Sequence, residues 1–209
     1  MAPSAEPLAS PAELMPFTED GYPHRGRYLL TLDQVKAGFV DAQVFAASTT
    51  RRRCWDGLLK YLRLWGKFRD RLGGVPGAED QPTCLWLGGS FISLASLNPN
   101  NIDLTVFVDG AVLQQAEAGG AKFRTQFSQL AARQSLTRRL CVTPTVIRYH
   151  YPGTPWQKPQ SYSAEQFEYQ LRRGGMDDWW TRARPAGVPK GAPTPETGKW
   201  VRGYVEVAL

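Results

Sequence analysis

Leu85-Trp86-Leu87-Gly88-Gly89-Ser90-Phe91, followed after a short loop by Asn98-Pro99-Asn100-Asn101-Ile102-Asp103-Leu104-Thr105-Val106-Phe107-Val108, is the stretch whose reading decides the fold. The apolar run 83–87, bounded by turn residues, predicts a buried strand. Gly88-Gly89-Ser90 predicts a tight corner, where small residues let backbone amides and a hydroxyl come close to a phosphate. Asn98-Pro99-Asn100 predicts a turn, and 101–108 predicts a second strand. Strand side chains alternate between faces. Ile102, Leu104, Val106 and Val108 therefore share one face, and Asn101, Asp103, Thr105 and Phe107 share the other.

Upstream lies the strongest helical pattern in the chain. Cys54, Trp55, Leu58, Leu59, Leu62, Trp65 and Phe68 recur at spacings of three and four, which builds one apolar stripe. Ser48, Thr49 and Thr50 offer caps at its start, and Gly73-Gly74 offer its end. Arg51, Arg52 and Arg53 open it. Two readings of that triplet stand side by side: a polyphosphate or nucleic-acid contact, and a solvated helix face. Before it, 30–47 predicts a helix with a break near Gly38. Residues 1–29, whose first twenty are rich in Ala, Pro, Ser and Glu, predict a flexible tail.

Downstream, 111–117 predicts a helical fragment and 123–140 a longer helix. The segment 141–149 predicts a third strand, in which Pro144 suits an edge or a bulge. Ser163 caps a helix expected to stop at Gly174-Gly175, with one more helical turn at Asp177-Asp178-Trp179-Trp180. Trp179-Trp180 reads either as a base-stacking pair or as a buried latch. A loop over 184–197 and a terminal strand over 199–208 complete the chain. Helices alternate with strands, so the expected class is α/β (α+β): a small mixed sheet flanked by helices in a single domain, 30–209.

With 42% hydrophobic and 21% charged residues, the 209-residue chain fits a globular rather than a disordered class. Its net charge of +6 points to anionic partners. No apolar run nears the ~20 residues that span a bilayer, and the start lacks a secretory signal pattern. Cys54, Cys84 and Cys141 form no CxxC pair, which argues against zinc. Reduced thiols in a cytoplasmic protein are the expectation.

The pattern of Gly89-Ser90, then a strand bearing an acid, resembles the nucleotidyltransferase superfamily, the polymerase-beta-like fold. "LWLGGSF" followed by "NPNNIDLTVFVDG" is similar to an uncharacterised bacterial family of small nucleotidyltransferase-like proteins, as are the basic helix upstream and the terminal "GKWVRGYVEVAL". The resemblance implies that Gly89 and Ser90 hold a nucleoside triphosphate, with Arg51 and Arg52 near the anion. It also implies that acids on the strand hold Mg²⁺, since carboxylates two residues apart point the same way. Asp103 matches the second acid and serves as the metal ligand. Asn101 stands where the first should be, and an amide brings no negative charge. In the other register Asp103 is the first acid and Thr105 replaces the second. Thr143 and Thr145 occupy the positions of a third. Asp109, Glu206 or another acid could compensate. Two functions stay open. One is nucleotidyl transfer to an RNA, protein or small-molecule acceptor, with Asp103 and Asn101 in the catalytic positions. The other is an inactive homologue that binds nucleic acid or a protein partner such as an acidic one.

Overall fold

The computed structural model describes residues 10–151, 154, 156, 158–182, 194 and 201–209. In chain order these residues form α1 (Pro11–Leu14), β1 (Arg27–Leu29), α2 (Leu32–Lys36), α3 (Arg51–Arg71), β2 (Cys84–Gly88), β3 (Ile102–Asp109), α4 (Gly110–Ala118), α5 (Ala121–Leu130), α6 (Arg133–Leu140), β4 (Val142–Tyr149), α7 (Ala164–Thr181) and β5 (Tyr204–Ala208). The strands make one mixed sheet in the order β1-β5-β2-β3-β4. β2 runs antiparallel to both β3 and β5, while β3–β4 and β1–β5 are parallel pairs. The predicted α+β class and small mixed sheet are what the structure has. Pro144 lies on β4, at the edge of the sheet, where its missing N–H costs no ladder bond on the open side.

The sheet is buried on both faces. Leu85, Leu87, Leu104 and Val106 on one face are fully buried, and so is Thr105 on the other. Helix α3 packs on β3 and β4 with a stripe of Cys54, Trp55, Leu58, Tyr61, Trp65 and Phe68, all buried. Burying each large apolar side chain contributes about 1.5–3 kcal/mol. Trp65 meets Tyr61, Phe68 and Phe127 edge-on at centroid distances of 6.3, 5.8 and 6.3 Å. Gly57 interrupts the stripe because α6 crosses there. A Cβ at Gly57 would overlap the Leu140 carbonyl.

Several boundaries differ from the sequence expectation. The flexible tail expected over 1–29 is partly structured. Ser10 caps α1 through a capping box, Met15 is buried, and Arg27–Leu29 pairs with Tyr204, Val205 and Glu206 as a strand. Short-range composition could not show that pairing, because its partner lies at the other end of the chain. The helix expected over 30–47 with a break near Gly38 does change there: α2 passes into a π-helical turn at Ala37–Asp41, and a 3₁₀ turn follows at Gln43–Phe45. The helix expected over 123–140 is split at Ala131–Ala132 into α5 and α6. Gly174-Gly175 do not end the last helix: α7 runs through them to Thr181, with Tyr169 and Trp180 buried at either side. The terminal strand begins at Tyr204 rather than at 199, and residues 199–200 and most of the 184–197 loop lie outside the described residues.

All three cysteines are free. Burial pushes the thiols of Cys54 and Cys84 each up to about 11, which suppresses their thiolate forms. No helix among the described residues is long and apolar enough to cross a membrane.

Arg51 is almost fully buried and donates to four backbone carbonyls: Phe39 at 3.0 Å, Phe91 at 2.5 Å, Ser93 at 2.9 Å and Ser96 at 2.5 Å. Its guanidinium also stacks 3.5 Å from the Phe45 ring centroid. Burial pulls its pKa down to about 10, so it stays charged at neutral pH. Arg51→Leu should leave those carbonyls without a donor. It is expected to cost at least about 3 kcal/mol, read as a lower urea midpoint.

Candidate functional site

The strand register brings the predicted corner and the predicted acid together. Gly88 is opposite Asp103 across β2–β3, and Asp103 is opposite Thr143 across β3–β4. Gly89 follows in a 3₁₀ turn, Gly89–Ile92, at φ +74, a left-handed conformation that glycine reaches at little cost. A Cβ at Gly89 would overlap the Asp103 Oδ2. The carboxylate therefore lies directly against the corner, and Ser90 beside it is exposed.

Asn101 shows what has become of the first acid position. Its Nδ2 donates to Asp103 Oδ1 at 2.9 Å and to Thr143 Oγ1 at 2.8 Å. Thr143 in turn shares a hydrogen bond with Thr137 of α6 at 2.9 Å. The amide orientation follows from its neighbours. Turned the other way, the carbonyl oxygen would face a carboxylate with no proton between them. Asn101 thus presents a donor to Asp103, where a metal site needs a second oxygen ligand.

Thr105, the alternative second acid position, is also committed. Trp180 Nε1 donates to Thr105 Oγ1 at 2.8 Å, and both side chains are buried. The Trp180 ring lies over Gly88, whose missing Cβ makes room for it. Of the two readings of Trp179-Trp180, Trp180 is the buried latch, while Trp179 is about half exposed. The rest of α7 continues the cover. Arg173 stacks 5.5 Å from the Trp86 ring centroid, Tyr169 packs edge-on against Tyr149 at 5.1 Å, and Tyr204 donates its hydroxyl to Asp177.

The acids that could have compensated stand elsewhere. Asp109 caps α4, accepting from Ala111 N at 2.7 Å and Val112 N at 3.2 Å. It is six residues along β3 from Asp103, about 20 Å in an extended strand. Glu206 accepts from Trp86 Nε1 at 2.7 Å and pairs with Arg27 at 3.3 Å. Among the described residues, no group of three His, Cys, Asp or Glu could hold a metal ion together. Among the described residues, the groups around Asp103 are one amide turned donor-first and two threonines, a set that does not fit a two-metal site.

The two arginines divide. Arg51 sits against the corner through the Phe91 carbonyl, but its four terminal donors are spent on backbone oxygens. It buttresses the corner, and its fifth donor, Nε, is buried without a partner. Arg52 pairs with Asp41 at 2.6 Å, and Lys36 pairs with the other Asp41 oxygen at 2.6 Å. Sequence reading missed Thr137, and it named Trp180 as a latch and Asn98 as a turn residue without their partners Thr105 and Thr49. Asn98 Oδ1 accepts from Thr49 N at 2.9 Å, which ties the 98–101 turn to the start of α3. Its turn chemistry was visible, but not the helix end it would reach.

A family model described as a family of unknown function, DUF6932, matches residues 15–193. No curated protein and no solved structure matches the chain.

Trp180→Ala would empty the space over Gly88 and leave Thr105 without its donor. The expected loss is about 3–5 kcal/mol, measured by chemical denaturation. Trp180→Phe keeps most of the ring and loses only the bond, so it should cost about 1–2 kcal/mol.

Proposed function

We propose that this chain, which belongs to the DUF6932 family, is a catalytically inactive nucleotidyltransferase-like homologue that acts as a nucleic-acid-binding module. The observation that carries the reading is the hydrogen bond from Asn101 Nδ2 to Asp103 Oδ1. Two-metal phosphoryl chemistry needs clustered anionic oxygens to hold ions ~3.5–4 Å apart. Among the described residues Asp103 is the one acid of the cluster and accepts from an amide, and the next polar position on the strand is sealed by Trp180. What the resemblance leaves is a scaffold: a Gly-Ser corner, a sheet and a set of basic helices. The net charge of +6 supports a polyanionic partner over a neutral one.

A second reading is retained nucleoside triphosphate binding at Gly89 and Ser90 with Mg²⁺ on Asp103. It is favoured by the exposure of Ser90 next to that carboxylate. The two differ in what Asp103 does. In the first it is a structural acceptor, and in the second it is a ligand.

Calorimetry with ATP, GTP, CTP and UTP, each with and without Mg²⁺, separates them. The expected result is no heat that depends on both the metal and Asp103. RNA binding by fluorescence anisotropy should persist in Asp103→Asn. Metal-dependent nucleotide binding that Asp103→Asn abolishes would overturn the proposal in favour of the second reading.

A further inference from the structure

We infer that the face formed by α3 and α6 binds the phosphate backbone of a double-stranded nucleic acid. This rests on the nucleic-acid-binding reading above and places it on a surface apart from the Asn101–Asp103 site. Arg53, Lys60 and Lys67 recur every seven residues of α3. Seven residues advance an α-helix about 10.5 Å and return to nearly the same azimuth. The three therefore form a row about 21 Å long, with Arg63 beside it, and all four are exposed.

Helix α6 extends that row sideways. The Leu140 carbonyl seats on Gly57, one turn from both Arg53 and Lys60. Arg138 and Arg139, both exposed, immediately precede Leu140. The close approach at Gly57 thus brings the end of α6, with its two exposed arginines, against the middle of α3. None of the six forms an ion pair among the described residues. Between Arg53 and Lys67 the only acid is Asp56. Concentrated, unneutralised positive charge on a rigid helix pair fits a rigid polyanion.

The choice of duplex over single strand follows from the aromatics. Single-strand binders stack bases on exposed rings. On α3, Trp55, Tyr61, Trp65 and Phe68 all face the core, and α6 has no aromatic residue. The row of 21 Å matches about six base-pair steps at 3.4 Å per strand. Such contacts set register on the backbone and carry no base specificity.

Fluorescence anisotropy of the full chain with labelled 20-base-pair RNA and DNA duplexes tests this. With four phosphate contacts, affinity should fall about 150-fold between 50 and 200 mM salt. Lys60→Glu/Lys67→Glu and Arg138→Glu/Arg139→Glu should each weaken duplex binding at least tenfold and reduce the salt slope by about two. Arg172→Glu, on α7, should change it less than threefold. Circular dichroism checks the fold. If a double variant fails to fold, Lys67→Ala and Arg139→Ala should each lower the salt slope by about one. Duplex binding unchanged by these variants would overturn the α3–α6 assignment alone. Absence of binding to any nucleic acid would overturn the broader reading with it. Equal or tighter binding to phosphatidylserine vesicles or to polyglutamate would replace the duplex with a membrane surface or an acidic protein.

Discussion

A single buried cation organises the loop side of this molecule. Arg51 leaves the first turn of α3 and spends its terminal donors on carbonyls from the π-helical turn at Phe39 and from the loop at Phe91, Ser93 and Ser96. Loop backbone inside a protein must find partners, because an unpaired buried carbonyl costs about as much as a lost hydrogen bond. Arg51 supplies them, and so the chain can pass from the buried 3₁₀ turn at Gly89–Ile92 through Ser93 into an irregular segment toward the surface. The position of the corner, and with it the seat of Asp103, depends on that cage. A charge this deeply buried is tolerated only with hydrogen-bond partners; the carbonyls take its four terminal N–H groups, Nε is left buried without one, and the arginine and the loop specify each other.

The polar face of the sheet follows the same rule. Asn101, Asp103, Thr143 and Thr137 form a chain of hydrogen bonds from β3 through β4 to α6. Thr105 is closed by Trp180. Polar groups so enclosed rigidify a core when every member is satisfied. Thr105 and Thr143 are buried, whereas Asn101 and Asp103 stay half-buried beside the exposed Ser90.

Much of this was legible in residue order. The apolar run before Gly88, the corner, and the alternation from Asn101 to Val108 are local features, and the register keeps Gly88 opposite Asp103 as that reading requires. What was not legible lay at long range or against local preference. Gly174-Gly175 should stop a helix on propensity, since each glycine costs roughly 1 kcal/mol there. Tyr169 and Trp180 anchor α7 on both sides of the pair, and tertiary burial prevails. Ala131-Ala132 carry no breaker signal, and yet the chain turns between α5 and α6. In the basic triplet, Arg51 and Arg52 look alike in sequence. One is core and the other a surface ion pair, because the apolar stripe turns Arg51 inward.

The Trp180 ring over Gly88 has a bearing on ancestry. If an acid once stood at position 105 or 101, restoring it now would not restore the site. Asn101→Asp would set two carboxylates side by side and break the link to Thr143, while the ring still filled the space above β2. A carboxylate at position 105 would be buried against that indole. Each reversal is unfavourable until the others are in place. The latch therefore couples these positions, so that an open, acid-lined face here would take concerted changes at 101, 105 and 180.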